Sequence, residues 1–163
     1  MHRLSDEMVP VLCFDETESE LALSVVFVHD RVVAARGFNP ALSEEQLDET
    51  VGRILVVVSS AFCTIFDSHP SDRFKDVFEQ VADFAMHLSK GHIFNDANKR
   101  TTVVCLIGIL NMAGLLLDIE DSDEPEDNVL YQWIKDVVTD AKSVPELAQI
   151  LRDHARYAGN GNE

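Results

Sequence analysis

Apolar residues recur along this chain at spacings of three and four, in blocks divided by turn signals, and the pattern predicts helices almost throughout. Leu21, Val25, Val28, Val32 and Ala35 trace the first stripe, behind Thr17-Glu18-Ser19-Glu20, which has the form of a capping box. The β-branched density from Val25 to Val28 would also suit a strand. Gly37 offers a helix stop, and Asn39-Pro40 a turn. Ser43-Glu44-Glu45-Gln46 is a second capping box, and behind it Leu47, Val51, Ile54, Leu55, Val58, Ala61, Phe62 and Ile65 form one continuous stripe. Asp67 to Asp72 reads as a loop. Phe74, Val77, Phe78, Val81, Phe84, Ala85 and Leu88 make the next stripe, which ends near Gly91.

From Asn98 to Met112 the pattern is helical again, now with apolar residues on nearly every side, as for a helix buried in the middle of a bundle; Gly114 is its C-terminal cap. Val129, Leu130, Trp133, Ile134 and Val137 predict another helix. Ser143-Val144-Pro145-Glu146 is a third capping box, followed by Leu147, Ile150 and Leu151. The expected fold is therefore all-α, a bundle of six or so helices with room for a short hairpin. Residues 1–16 read as an irregular N-terminal extension, 17–158 as one domain, and the Gly-Asn-rich end at 159–163 as a frayed tail.

Composition narrows the function. Hydrophobic residues make up 46% of the 163, enough for a real core. The net charge of -16, from 29 acidic against 13 basic residues, repels DNA and RNA, so nucleic-acid binding is disfavoured. The acidic residues crowd between Asp118 and Asp127, a stretch that reads as a solvated loop or, less simply, as a dock for a basic partner. No basic segment leads into an apolar one at the start, and the longest apolar run, Val103 to Leu110, is too short to span a bilayer. Cys13, Cys63 and Cys105 are odd in number and far apart, as for reduced thiols, so a cytoplasmic protein without a membrane partner is expected.

The chemistry gathers in Gly91-His92-Ile93-Phe94-Asn95-Asp96-Ala97-Asn98-Lys99-Arg100-Thr101, between two apolar-periodic segments. If this stretch joins two helices, the amides of Lys99, Arg100 and Thr101 lie in a first helical turn without intrahelical partners, and they favour an anion, as does the helix dipole. Lys99 and Arg100 add full charges, Arg as a bidentate fork and Lys as a point charge. A carboxylate such as Asp96 beside phosphates suits Mg²⁺. Imidazole, whose unperturbed pKa is about 6.5, can accept a hydroxyl proton near neutral pH, a role open to His92. Phe94 alternates between polar neighbours and is expected to turn inward. Each feature has a plainer reading: a capping His, a solvated Lys-Arg pair, ordinary Asp-Ala-Asn loop chemistry. Their joint arrangement is what favours a phosphate site.

This arrangement resembles the Fic/Doc superfamily, whose core pattern is His-x-Phe-x-Asp/Glu-Gly-Asn-Gly/Lys-Arg. The Doc branch, death on curing, carries the run found here from Gly91 to Thr101. Val28-His29-Asp30-Arg31 looks like the family's early His-Asp signature, Gly52-Arg53-Ile54 also aligns, and residues 21–157 are covered apart from the loops at 67–72 and 118–127. The resemblance implies a Fic/Doc-type helical bundle, its buried central helix following the active-site loop. It also implies roles. His92 would be the general base, Asp96 would hold Mg²⁺, and Asn98, Lys99, Arg100 and Thr101 would bind the phosphates of ATP. Lys90 stands where a near member of the family has another cation, and Phe94 and Asn95 would support the loop.

Family members that transfer AMP usually have Gly at positions 97 and 99 and a second Arg at 103; here these are Ala97, Lys99 and Val103. For Doc proteins with this altered loop the resemblance implies transfer of the γ-phosphoryl group to a threonine of elongation factor Tu, which arrests translation. It implies a toxin of a type II toxin–antitoxin module. The inhibitory pattern Ser/Thr-x-x-x-Glu-Gly/Asn is not met, because Asp127 follows Ser122 to Glu126, so inhibition by a cognate antitoxin is expected. An AMP transferase and a catalytically silent binding module are the rival readings.

Overall fold

The computed structural model describes residues 8–37, 43–94, 97–120, 122 and 124–159. In chain order these form α1 (Glu18–Ala35), α2 (Glu44–Phe62), α3 (Pro70–Arg73), α4 (Val77–Lys90), α5 (Asn98–Met112), β1 (Leu115–Leu117), a 3-10 turn (Pro125–Asp127), α6 (Val129–Val138), α7 (Val144–His154) and β2 (Ala155–Tyr157). The architecture is all-α with one two-stranded ladder, as the periodicity predicts.

The second and third capping boxes form. Ser43 Oγ accepts from the Gln46 amide at 3.2 Å while Gln46 Oε1 accepts from the Ser43 amide at 3.0 Å, and Ser143 and Glu146 repeat the exchange at 3.2 and 3.3 Å. The first does not. At φ -126°, ψ 15° the Thr17 backbone is not in the extended conformation that swings an N-cap hydroxyl over the first turn, and its side chain makes no cap bond. Two short elements also depart from expectation. The stretch expected as a loop contains the single turn α3, started by His69 as cap and Pro70 at its first position. The strands pair antiparallel, Leu115 with Tyr157 and Leu117 with Ala155. Because α6 and α7 lie between them, they are not a hairpin.

α4 is the most enclosed element. Val77, Phe78, Val81, Ala82, Phe84, Ala85 and Leu88 are all buried, and the helix packs against α2, α5, α6 and α7. A buried ion pair ties it to α7: Arg152 donates to Asp76 Oδ2 from Nε at 3.0 Å and Nη2 at 2.6 Å, while Asp76 Oδ1 caps α4 through the Glu79 amide at 3.0 Å. α5 packs against α4, α1, α6 and β1. It is not enclosed all round, as its composition suggested. Val104 and Met112 are 40% and 62% exposed, on the edge of an apolar groove of about 440 Å³ between α5 and α1. Residues 8–16 have no regular structure but are docked on the core. Gln80 brackets Leu12, its Oε1 accepting from the Leu12 amide at 2.8 Å and its Nε2 donating to the Leu12 carbonyl at 2.6 Å. Among the described residues no helix is long and apolar enough to cross a membrane.

Candidate active site

The loop between α4 and α5 is held from four sides. It begins at Gly91, whose amide donates to the His87 carbonyl at 3.0 Å and closes α4. A Cβ at this position would sit 2.9 Å from that carbonyl oxygen, so only glycine fits the tight exit. Two non-glycine residues then take the left-handed region, His92 at φ 49° and Ala97 at φ 63°, and backbone strain of this kind concentrates at functional sites. Arg53 of α2 reaches across and donates to the carbonyls of Gly91 at 2.8 Å, His92 at 3.4 Å and Ile93 at 3.5 Å. Phe94 turns inward, 6% exposed, and stacks on the His29 ring of α1 with centroids 3.7 Å apart and planes 5° apart. The last hold is Asn98, which accepts at Oδ1 from the Phe94 amide at 3.1 Å and donates from Nδ2 to the Phe94 carbonyl at 2.8 Å.

These constraints put His92, Asn98, Lys99 and Arg100 around one cavity of about 260 Å³. His92 is exposed there. The backbone amides of Asn98 and Lys99, in the first turn of α5, have no partner among the described residues. Arg100 donates from Nη1 to the Ser122 carbonyl at 3.1 Å and lies 6.0 Å from the centroid of Tyr131, another wall residue. The acidic stretch is therefore anchored at the cavity rather than merely solvated. Asn128 Nδ2 holds the same Ser122 carbonyl at 2.9 Å, and Arg156 pairs with Asp118 at 2.7 Å.

Other expected site residues fall elsewhere. Lys90 is not part of the cavity wall; it sits in the last turn of α4 and pairs with Asp140 at 3.3 Å. Thr101 is fully buried and its amide donates to the Ala97 carbonyl at 2.9 Å, because α5 begins at Asn98 and its fourth amide is already inside the hydrogen-bonded ladder. Asn98 is mainly a clamp on the loop, with one Nδ2 hydrogen left over. Asn95 and Asp96 lie outside the described residues, and with them the expected Mg²⁺ ligand. Among the described residues no three His, Cys, Asp or Glu side chains cluster as for a metal ion. Sequence reasoning missed Arg36, at the end of α1, and Ser89 of α4, both in the cavity wall. Neither carries a local signal, since each comes from a different helix.

An electropositive pocket at a helix N-terminus, with an exposed imidazole on a stapled loop inside a helical bundle, can take an anionic ligand and remove a proton beside it. The Fic/DOC family model matches residues 23–110, more than half of the chain, and the chain belongs to that family. It is also similar to "Protein kinase doc" of Escherichia phage P1, at 28% identity over 129 residues, 78% of this chain and 88% of that protein.

Proposed function

We propose that this protein is the toxin of a type II toxin–antitoxin module, an ATP-dependent kinase that phosphorylates a threonine hydroxyl of elongation factor Tu. The observation that carries the reading is the placing of His92 in one cavity with the first turn of α5, Lys99 and Arg100. These groups suit a polyphosphate: two amides without a partner among the described residues, a helix dipole and two cations in a chain of net charge -16. The kinase named among its relatives supports the reaction class.

In the reaction the substrate hydroxyl oxygen bonds to the γ-phosphorus as the bond from phosphorus to the ADP oxygen breaks. His92 takes the hydroxyl proton. Lys99 and Arg100 neutralise charge on the phosphoryl oxygens and on the departing ADP, which in phosphoryl transfer is most of the protein's task. Asp96 would hold Mg²⁺, which would supply positive charge against the phosphates. Ala97 and Lys99 both belong to the cavity wall, where AMP-transferring relatives usually have glycine. That added bulk and charge favour γ-phosphoryl over AMP transfer. Residues 125–127 form a 3-10 turn where the family's inhibitory pattern would need an α-helix, which supports inhibition in trans by a cognate antitoxin.

The test incubates the protein with elongation factor Tu, Mg²⁺ and ATP labelled at the α or the γ position, with His92→Ala as control. Label from γ alone, lost in the variant, supports the reading. Label from α would make it an AMP transferase, and no label from either would turn the search to another substrate or a silent binding role.

A further inference from the structure

We infer that Ser89 is a binding residue of this cavity and donates a hydrogen bond from its hydroxyl to a phosphate oxygen of the nucleotide, which rests on the reading that a nucleotide is what the cavity takes. Ser89 lies in the last turn of α4, in the cavity wall, 3% exposed. Its Oγ is buried and has no hydrogen-bond partner among the described residues. A helical serine has an easy remedy, a bond to the carbonyl one turn back. Ser24 and Ser60 of this protein both make it, to Glu20 at 2.9 Å and Val56 at 2.8 Å, although both are exposed and could use water instead. Ser89, which most needs a partner, makes no such bond.

A buried hydroxyl without a partner weakens a fold, and natural proteins carry few of them. Among the described residues the other buried side-chain polar atoms in this state belong to Glu18, Arg73 and Thr101, and none of those residues is part of this cavity wall. Ser89 alone adjoins a space already furnished with unpartnered amides and with Lys99 and Arg100. A phosphate drawn there brings acceptor oxygens, and rotation of one side-chain torsion between staggered wells aims the hydroxyl at them. The cations attract any anion. A neutral donor at a fixed depth on the α4 wall adds a positional requirement that charge alone does not supply.

The experiment compares His92→Ala, which on the kinase reading should hold nucleotide without turnover, with the double variant His92→Ala/Ser89→Ala. ATP affinity in Mg²⁺ is measured by calorimetry, and thermal unfolding is followed without nucleotide. Loss of a hydroxyl bond to a charged oxygen predicts Kd about tenfold higher or more. Without nucleotide, the melting temperature stays the same or rises, because the methyl group replaces a hydroxyl that had no partner. Ser89→Cys, a weak donor of similar size, falls between. Equal Kd values for the two variants overturn the Ser89 assignment and leave the kinase reading intact. A melting temperature lowered by several degrees overturns it too, since the hydroxyl would then have a structural partner. Failure of His92→Ala itself to bind ATP removes the kinase reading and this assignment with it.

Discussion

Arg53→Ala separates the scaffold of the loop from its chemistry. Only one of the three bonds is strong: the Gly91 carbonyl accepts at 2.8 Å, while those of His92 and Ile93 lie at 3.4 and 3.5 Å, where little remains. A hydrogen bond from a charged donor contributes about 1.5–3 kcal/mol. Gly91, His92 and Arg53 are exposed, so water replaces part of it and about 1–2 kcal/mol is lost. In a domain of this size that lowers the melting temperature by about 3–6 °C. Transfer should suffer more. The three carbonyls bracket His92, and a base displaced by about 1 Å can lose about a hundredfold in rate. Arg53 is not part of the cavity wall, so ATP affinity should hold within about threefold, the mark of a geometric rather than a binding defect. Arg53→Lys should recover stability better than rate, since an ammonium cannot fork across three carbonyls. Circular dichroism, calorimetry and labelled-phosphate transfer supply the three numbers. Amide exchange at Phe94, held by Asn98, should quicken whatever the substrate proves to be. Unimpaired transfer in Arg53→Ala, or an affinity loss equal to the rate loss, would refute the reasoning.

Three further outcomes follow from the packing. Asp76→Ala removes the cap of α4 and strands the buried Arg152, a loss of about 4–6 kcal/mol in urea unfolding; combined with Arg152→Met it should cost at least about 2 kcal/mol less than the sum of the singles, and strict additivity would sink the pairing. Burial pushes the Cys105 thiol up to about 12, and burial followed by the charge of Glu18 raises that of Cys63, whereas Cys13 is exposed. A thiol reagent should therefore titrate one cysteine in the native protein at pH 8 and three in guanidinium, and two fast native thiols would contradict the burial. Asp15 accepts from the Thr64 amide and hydroxyl, which lowers its carboxyl pKa below the ordinary 3.8. Its stabilisation is present above the unfolded-state value and is lost as pH falls through the lower folded-state one. The gap in melting temperature between wild type and Asp15→Asn should shrink as pH falls below about 4, and a gap constant from pH 7 to 3 would exclude this link.

How far the sequence could be read follows from how local each signal is. The long helices were legible because their stripes repeat over three to five turns, and the capping boxes at Ser43 and Ser143 because donor and acceptor lie three residues apart. α3, β1 and β2 were not, being too short to show a period; the two strands meet only because α6 and α7 bring the chain back. Thr17 had the right residues in the wrong backbone conformation. The same rule governs the site. His92, Asn98, Lys99 and Arg100 are near neighbours in sequence and could be named together. Arg53, which only the family resemblance singled out, and Arg36, Ser89 and Tyr131 arrive from separate elements, each an ordinary polar or aromatic residue in its own segment.

Proximity in sequence also misleads. Lys90 stands two residues before His92, yet it lies outside the cavity wall and pairs at the surface with Asp140. Thr101 directly follows the cations, yet the start of α5 at Asn98 closes its amide within the helix. With the Asn98 carboxamide largely engaged on Phe94, a phosphate at this cavity would meet fewer groups than the motif contains: the first amides of α5, Lys99, Arg100, and the wall residues that adjoin them. A run of eleven residues can state which chemistry is present. Which atoms are free to perform it depends on what the rest of the chain has already engaged, and here that question turns on α1, α2 and α4 as much as on the loop.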